Sequence, residues 1–524
     1  MATPCDVLIV GAGPTGLMMA CQLARHGISL RLIDKQASRT HESRAFGVQA
    51  KTMEIFQNLG LAEAFLSRMQ LTNKGMFFVN GKKRAEIDLT FLQNFHTPFP
   101  RFHILPQSET EIILGEDAVK HGVTIERQVE LVSFADTGPE VVCEILHLTS
   151  GKHETLQCKY IVSCDGAHSF VRETLGIPFE GAPYEQQFVL ADAKVEWPYD
   201  PANLKFFFSA TGLMLQLPLT KTHSRLLGAR FKDAVGPNPP PVQEVEALAR
   251  DVTCQNVKLL DAAWLSRFHL HHRAAKDYRK GRAFLAGDAA HIHTPVGAQG
   301  MNTGLQDATN LAWKLAYVVK NLAIEALLDT YQSERRRVGQ ILLRTTDRMF
   351  GLVTARGPLA TPLRNFFFPL VIPLIFNLNC LRTQVFRFMS QLAIRYHTSA
   401  FVFERTRFAD AAFRSGPAAG RRAPDAKLEQ GTLFELIKGV EANVLIFCDK
   451  LDRVNEIEML RRLYAGYVRV HVFEKDKEPE LFQRYGMRGW GTCFIRPDGY
   501  IGFRSYGEDL RWLKDYLEKL LPGC

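Results

Sequence analysis

The chain has 524 residues, too many for one hydrophobic core, so two or three domains are expected. Apolar residues make up 46% and charged residues 23%, which excludes a largely disordered chain. The net charge of +9 is spread without a dense Lys/Arg cluster, which excludes a nucleic-acid-binding arm and suits anionic small molecules.

Ten cysteines carry neither C-x-x-C spacing nor a Cys/His metal-ligand pattern. They read as reduced, mostly buried thiols of a cytoplasmic protein, with no metal site. The first apolar run, Val7 to Val10, leads into a glycine-rich turn rather than a cleavage site, so no signal peptide is expected.

Asp6 to Val10 reads as a strand, followed by Gly11-Ala-Gly-Pro-Thr-Gly16 and a helix from Leu17 to Arg25 that stops at Gly27. Ile28 to Ile33 is a second strand, ending at Asp34. Three glycines at this spacing have separate jobs: Gly11 turns the chain, Gly13 lets backbone approach a pyrophosphate, and Gly16 lets helix pack on strand. The helix start offers N–H groups and a positive dipole end to the anion. Asp34, about 20 residues on, is placed to accept hydrogen bonds from ribose hydroxyls. This unit predicts a dinucleotide site without separating FAD from NAD.

Between Phe77 and Phe102 strands and loops with many aromatics are expected, then a helix from Gln107 to His121 and a β-meander from Val123 to Ile161. Tyr160 to Ser163 leads into Cys-Asp165-Gly166-Ala-His168-Ser169-Phe-Val171-Arg172. Strands return from Phe188 to Phe231, including one read as continuous and apolar from Phe206 to Gln216. A proline-rich loop at 237–241 precedes a short helix, Val242 to Asp251.

Ala283 to Gly287 is another buried strand, running into Asp288-Ala-Ala-His291 and then Thr294-Pro295-Val-Gly297-Ala-Gln-Gly300-Met301-Asn302-Thr-Gly304. Asp165 and Asp288 thus both follow buried strands, where doubly wound sheets bind ligands and an acid can hold sugar or ribityl hydroxyls. Either motif alone has a plainer alternative, a turn with a capping acid; the two in this order, after the N-terminal fingerprint, select a flavin. The helix start near Gly300 would direct its positive end at the negative edge of a reduced flavin.

Phe366 to Leu381 is apolar but short for a bilayer crossing and holds two prolines, so it reads as buried packing, a pocket wall or a subunit contact, with a monotopic membrane contact as the alternative. After a Gly/Pro/Ala/Arg-rich link at 416–424, a last module reads strand (Val444 to Phe447), helix (Val454 to Ala465), strand (Tyr467 to Phe473), helix (Pro479 to Tyr485), hairpin (Thr492 to Phe503) and helix (Leu510 to Leu520). Asp498 is expected in a surface turn of that hairpin.

GAGPTG, DGAHSFVR and GDAAHIHTPVGAQGMNTGLQDATNLAWKL together resemble the class A flavoprotein monooxygenases, the aromatic hydroxylases typified by p-hydroxybenzoate hydroxylase and phenol hydroxylase. The resemblance covers residues 1 to about 350 and, more loosely, the last hundred. It implies an α/β protein: a glutathione-reductase-like Rossmann FAD-binding domain (1–74, 104–180 and 282–350), a β-rich substrate domain (75–103 and 181–281), a helical, apolar connector (351–415) and a thioredoxin-like domain without C-x-x-C (416–524). Carried over by motif, Gly11, Gly13 and Gly16 would face the pyrophosphate and Asp34 the adenosine ribose. Arg44, Gln107, Asp165 and Asp288 would be further FAD contacts, and Pro295, Gly300, Met301 and Asn302 would line the isoalloxazine. Two departures stand out: Asp34 where Glu is commoner, and Ala298 within a stretch that usually reads Pro-x-Gly-Gly-Gln.

The activity implied is hydroxylation of an aromatic or polycyclic substrate with NAD(P)H and O₂ through a flavin C4a-hydroperoxide. NAD(P)H would be a transient cosubstrate, since only one dinucleotide fingerprint is present. No catalytic residue is readable; His103, Tyr184 and His223 are polar candidates for a phenol-deprotonating base, each more simply a structural residue. Two alternatives remain at this point. One is a related FAD epoxidase or reductase, and the other is a non-catalytic, flavin-switched interaction protein. A homodimer and a weak membrane contact through 366–381 also stay open.

Overall fold

The computed structural model describes residues 4–39, 45–89, 96–230, 238–293, 298–353, 363, 365–366, 371, 374–405, 410–451 and 453–523. It is an α/β protein with mixed sheets.

The strand Cys5–Val10 sits inside an eight-stranded sheet. Its parallel neighbours are Lys152–Ser163 and Leu30–Asp34, and Ala283–Leu285 and Ile125–Arg127 extend the parallel set on either side. Val7, Leu8 and Ile9 are wholly buried, so both faces of the strand are covered and alternation vanishes, as parallel sheets require. The meander Val129–Asp136, Val141–His147 and Lys152–Ser163 is antiparallel and feeds its last strand into this sheet. The parallel directions bring Gly11, Cys164–Asp165 and Gly287–Asp288 to the same end of the sheet.

Helix Pro14–Arg25 packs against Gly300–Val319 and Gln107–Lys120. The long helical region expected after Gly300 is two helices, Gly300–Val319 and Ala326–Val353. The break falls at Asn321, whose φ of 57° is left-handed and cannot continue a helix.

A second eight-stranded sheet runs His291–Ile292, Lys258–Ala275, Phe179–Glu196, Ser224–Arg230, Gly212–Pro218, Leu204–Phe208, Lys74–Val79 and Lys82–Asp88. The continuous strand expected from Phe206 to Gln216 is a hairpin: Leu204–Phe208 pairs antiparallel with Gly212–Pro218. Ser209 makes the turn, its Oγ accepting from the Thr211 and Gly212 N–H groups at 3.1 Å each. The hairpin gives the sheet two unlike faces. Phe207 and Met214 pair on one face and pack with Val245 and Leu248 of helix Val242–Thr253. Phe206 and Leu215 pair on the other and are only half-buried.

The C-terminal residues form a five-stranded sheet in the order Phe403–Arg405, Ile501–Tyr506, Gly491–Ile495, Ala442–Cys448, Val468–Glu474. Its first strand lies ahead of the Gly/Pro-rich link. Asp498 is not at the surface: its side chain is 3% exposed and bonded to Arg496. Among the described cysteines seven are buried and only Cys254 and Cys380 are exposed, all of them free thiols. In the apolar segment Phe366 and Leu374 are 65% and 57% exposed, so these positions are surface rather than core. No helix of the described residues is long and apolar enough to cross a membrane.

Candidate functional site

The three glycines of the N-terminal turn meet different surroundings. A Cβ on Gly11, whose φ is 100°, would lie 2.4 Å from the Cys164 carbonyl oxygen, and one on Gly16 would lie 1.9 Å from the Gly11 oxygen. Those two glycines let the turn, the helix and the Cys164–Asp165 loop close together. Among the described residues a Cβ on Gly13 would meet nothing within 4 Å, so none of them crowds the helix start there. Gly13 is also the N-cap of Pro14–Arg25, and no side chain of the described residues caps that end. Asp34 shapes the same turn: Oδ2 accepts from Ala12 N at 2.7 Å, Oδ1 accepts from Gln36 N at 2.8 Å, and Arg127 lies 3.2 Å away.

The second and third motifs close around this turn. Asp165 is half-buried and turned inward, accepting from Ser163 Oγ and Val171 N. Ser169 caps helix Phe170–Thr174 by accepting from Arg172 N. Arg172 donates to Ala289 O at 3.1 Å and to Ala167 O at 2.9 Å, bracketing the two Asp-bearing turns. Gly287 has a φ of 62°, and a Cβ there would meet Thr15 Oγ1 at 2.5 Å; one on Gly304 would meet the same atom at 2.4 Å. Asp288 follows in a short 3-10 turn and is exposed, while Gly287 and Ala289 on either side are buried.

Behind that turn lies a buried ionic centre. Asp307 accepts from Gly287 N at 3.1 Å, His291 Nε2 at 2.6 Å and Arg335 Nε at 2.6 Å. Burial alone would raise its pKa, but Arg335 and His291 outweigh that and hold it below the ordinary carboxylate value.

Gly300 opens its helix with nothing among the described residues within 4 Å of a notional Cβ, and the N-cap residue Gln299 makes no side-chain cap bond. Met301 is half-buried against the main core. Asn302 is fully buried; it donates to Gly47 O and Ala298 O at 2.8 and 2.7 Å and accepts from Gln49 N at 2.9 Å. Its side chain therefore ties the loop before the helix to the Gly47 strand. Ala298 has a φ of 53°, the region glycine favours, and the methyl group costs about 1 kcal/mol there. Gly47 makes room for it, since a Cβ on Gly47 would lie 2.5 Å from that of Ala298. Gln107 starts its helix and donates to Glu111 Oε1 at 2.9 Å. Arg44 and Pro295 lie outside the described residues.

These groups suit FAD. Among the described residues, two helix N-termini lack side-chain caps, the glycines at both are uncrowded and Asp288 is exposed, a set that would offer donors to phosphates and an acceptor to hydroxyls. Across from the loop, Phe206 and Leu215 of the second sheet cluster with Phe46, Phe102 and Ala298, leaving a half-buried apolar face beside the site.

The proposed bases fare differently. His103 is buried, and burial with Arg101 nearby pushes it down to about 4. Burial and the hydrogen bond to Asp347 push the Tyr184 phenol above its ordinary value, holding it protonated. His223 sits in a turn, with Nδ1 3.0 Å from Thr222 Oγ1. Sequence reading missed Thr15, Gly47 and Arg335. Arg335 lies in Ser333-Glu-Arg-Arg-Arg337, which looks like a solvated helix face, and only the fold shows it fully buried.

A family model described as an FAD binding domain matches residues 4–346. The chain is 32% identical to the 6-methylpretetramide 4-monooxygenase of Streptomyces rimosus over 98% of its own length and 93% of that protein. It is 30% identical to the pentachlorophenol 4-monooxygenase of Sphingobium chlorophenolicum over 99% and 97%. Among solved structures, the anhydrotetracycline hydroxylase OxyS from Streptomyces rimosus superposes with a TM-score of 0.76 at 28% identity, covering 99% of both chains. With the motifs, the glycine packing and the coverage in agreement, the chain belongs to the class A FAD-dependent monooxygenases, the flavoprotein aromatic hydroxylases.

Proposed function

We propose that this enzyme hydroxylates an aromatic or polycyclic substrate seated between the half-buried face of the second sheet and the loop at Ala298. The observation that carries the reading is the clustering of Phe206 and Leu215 with Ala298, Phe102 and Phe46. Flat apolar side chains beside a cofactor loop suit a flat substrate. The relatives named for pretetramide and pentachlorophenol oxidation support an aromatic substrate class.

Bound FAD, reduced by NAD(P)H, supplies the chemistry that activates O₂ and inserts one oxygen atom. The chain's own residues bind and orient. In our assignment Gly13 and the start of helix Pro14–Arg25 hold the pyrophosphate, Asp34 the adenosine ribose, and Asp288 the ribityl side. Arg44, Gln107 and Asp165 shape or complete that pocket. The backbone at Gly300, Met301 and Asn302 faces the isoalloxazine, with Asn302 locking the loop, and Pro295 is assigned to the same group on its motif alone. The first sheet with its helices is then a Rossmann FAD-binding domain, the second sheet a substrate domain, and the third a thioredoxin-like module. Free, mostly buried thiols suit a cytoplasmic enzyme, and the exposed Phe366 and Leu374 suit a weak surface contact, with a membrane or a second subunit.

The test is a panel of phenols and polycyclic phenols, read by NAD(P)H loss and product mass. The expected result is substrate-stimulated oxidation with a mass gain of one oxygen atom. NAD(P)H loss with no oxygenated product from any member would reject hydroxylation, and an epoxide would favour the related oxidoreductase reading. Denaturation should release FAD, not FMN.

Asp288→Ala should weaken FAD binding about ten- to a hundredfold, the loss of a charge-assisted hydrogen bond of roughly 1.5–3 kcal/mol. Asp509→Ala is the control, because Asp509 pairs with its neighbour Arg511 near the surface. Equal FAD affinities in the two variants would reject the assignment of Asp288.

A further inference from the structure

The hairpin turn Arg496-Pro-Asp498-Gly-Tyr500 belongs to the C-terminal sheet, yet its charged side chains are buried in the flavin-side helices. Arg496 grips Glu334 with both Nη atoms, at 2.7 and 2.8 Å, and Asp498 with Nε and Nη2, at 3.1 and 2.6 Å. Lys314 and Asn310 complete the cluster at Glu334 Oε2, at 2.9 and 2.7 Å. None of the ionic side chains is more than 3% exposed.

Burying so many charges is costly, and an apolar seam would hold two modules together at least as well. What a two-pronged Arg–carboxylate contact adds is a fixed angle and register. The next residue after Glu334 shows where that register is delivered. Arg335 donates to Asp307 Oδ1 at 2.6 Å, to Thr303 O at 3.1 Å and to the Tyr396 hydroxyl at 3.0 Å. Asp307 in turn accepts from Gly287 N, one residue before Asp288. The Tyr396 ring also lies 4.4 Å from that of Tyr500, closing a second link back to the hairpin.

We propose that the Arg496–Asp498 turn is a positioning element of the flavin site, acting through Glu334 and Arg335 on the Gly287–Asp288 turn. The C-terminal module thereby has a part in cofactor binding without touching the cofactor or passing electrons. This rests on the reading that the Gly287–Asp288 turn faces FAD.

The test compares Arg496→Met with Arg504→Met. Arg504 is as buried and is bonded to Glu404, Phe413 O and Tyr485 O, but those contacts stay on the C-terminal side. FAD dissociation constants, visible spectra of the bound flavin and melting temperatures of the apoproteins would be measured. Arg496→Met should raise the FAD dissociation constant about tenfold or more and alter the flavin spectrum, as expected when a charge-assisted network is cut. Arg504→Met should lower the melting temperature comparably and leave the constant within about twofold, as for an independent site. Arg496→Lys keeps the charge without the fork and should recover part of the loss; with Asp498→Asn it serves if the Met variant does not fold. Equal changes in the Arg496 and Arg504 variants, or FAD binding unaltered in all the Arg496 and Asp498 variants, would overturn the proposal. Failure of the unaltered protein to bind FAD would instead reject the cofactor reading itself.

Discussion

Asp307→Ala should yield little soluble flavoprotein, and the fraction that folds should bind FAD more than tenfold weaker than the unaltered chain, by about the value of a lost charge-assisted bond. Three donors converge on this carboxylate, from Gly287 N, His291 and Arg335, and both Asp307 and Arg335 are wholly buried. Removing the acid leaves the guanidinium without its charge partner in the interior, a change that costs roughly 3–5 kcal/mol. It also frees the Gly287–Asp288 turn from its anchor. Asp307→Asn keeps the shape and one acceptor, so it should fold better and lie between the two. Urea unfolding and flavin titration check both variants. An Ala variant with an unchanged midpoint and unchanged affinity would show that the centre neither stabilises nor positions anything.

How much of this was readable beforehand follows from the range of the forces involved. The parallel strands and the glycine turn were legible because each is a local device: an apolar run, a turn that needs glycine, a helix start. The C-terminal elements were legible for the same reason, with Pro479–Tyr485 found at the expected residues. The hairpin inside Phe206 to Gln216 was hidden because Ser-Ala-Thr-Gly lacks the Asn-Gly or Asp-Gly signal of a tight turn. Asp498 misled because Pro-Asp-Gly is locally a surface turn; its burial is decided by Arg496, Glu334 and Asn310, up to 188 residues away in the chain. The Arg335–Asp307 contact has the same character. A base is not legible at all, since protonation at His103 or Tyr184 depends on burial and on neighbours such as Arg101 and Asp347.

Stability should fall steeply as the pH drops from 7 to 5, and buried histidines are the main cause. His26 is pushed down to about 3, by burial first and then by Lys320. His103 and His471 are pushed down to about 4, again chiefly by burial, with Arg101 beside one and Arg469 and Arg461 beside the other. His293 is lowered too, by burial and by His291. In each case the folded pKa lies below the unfolded value near 6.5, so the unfolded chain binds the extra proton. The stability is therefore complete above about pH 6.5 and is lost as the pH falls toward the folded value. At pH 5 His26, His103 and His471 each cost about 2 kcal/mol, roughly 6 together. Asp425 works the other way: burial raises it to about 6, so protonation there favours the fold and returns about 1.4 kcal/mol at pH 5. A net loss of roughly 4–5 kcal/mol remains, large against the usual 5–15 kcal/mol of a folded protein. His26→Leu isolates one contribution. Among the described residues the His26 Nε2 has no hydrogen-bond partner and the ring sits edge-on to Tyr317, so the variant should be no less stable at pH 7. Between pH 7 and 5 it should lose about 2 kcal/mol less stability than the unaltered chain, the contribution of that one proton. Melting curves at pH 7 and 5, with proton uptake measured on unfolding, decide the matter. A melting temperature that is flat across the range, or a His26→Leu slope equal to that of the unaltered chain, would show that these histidines are not held neutral by the fold.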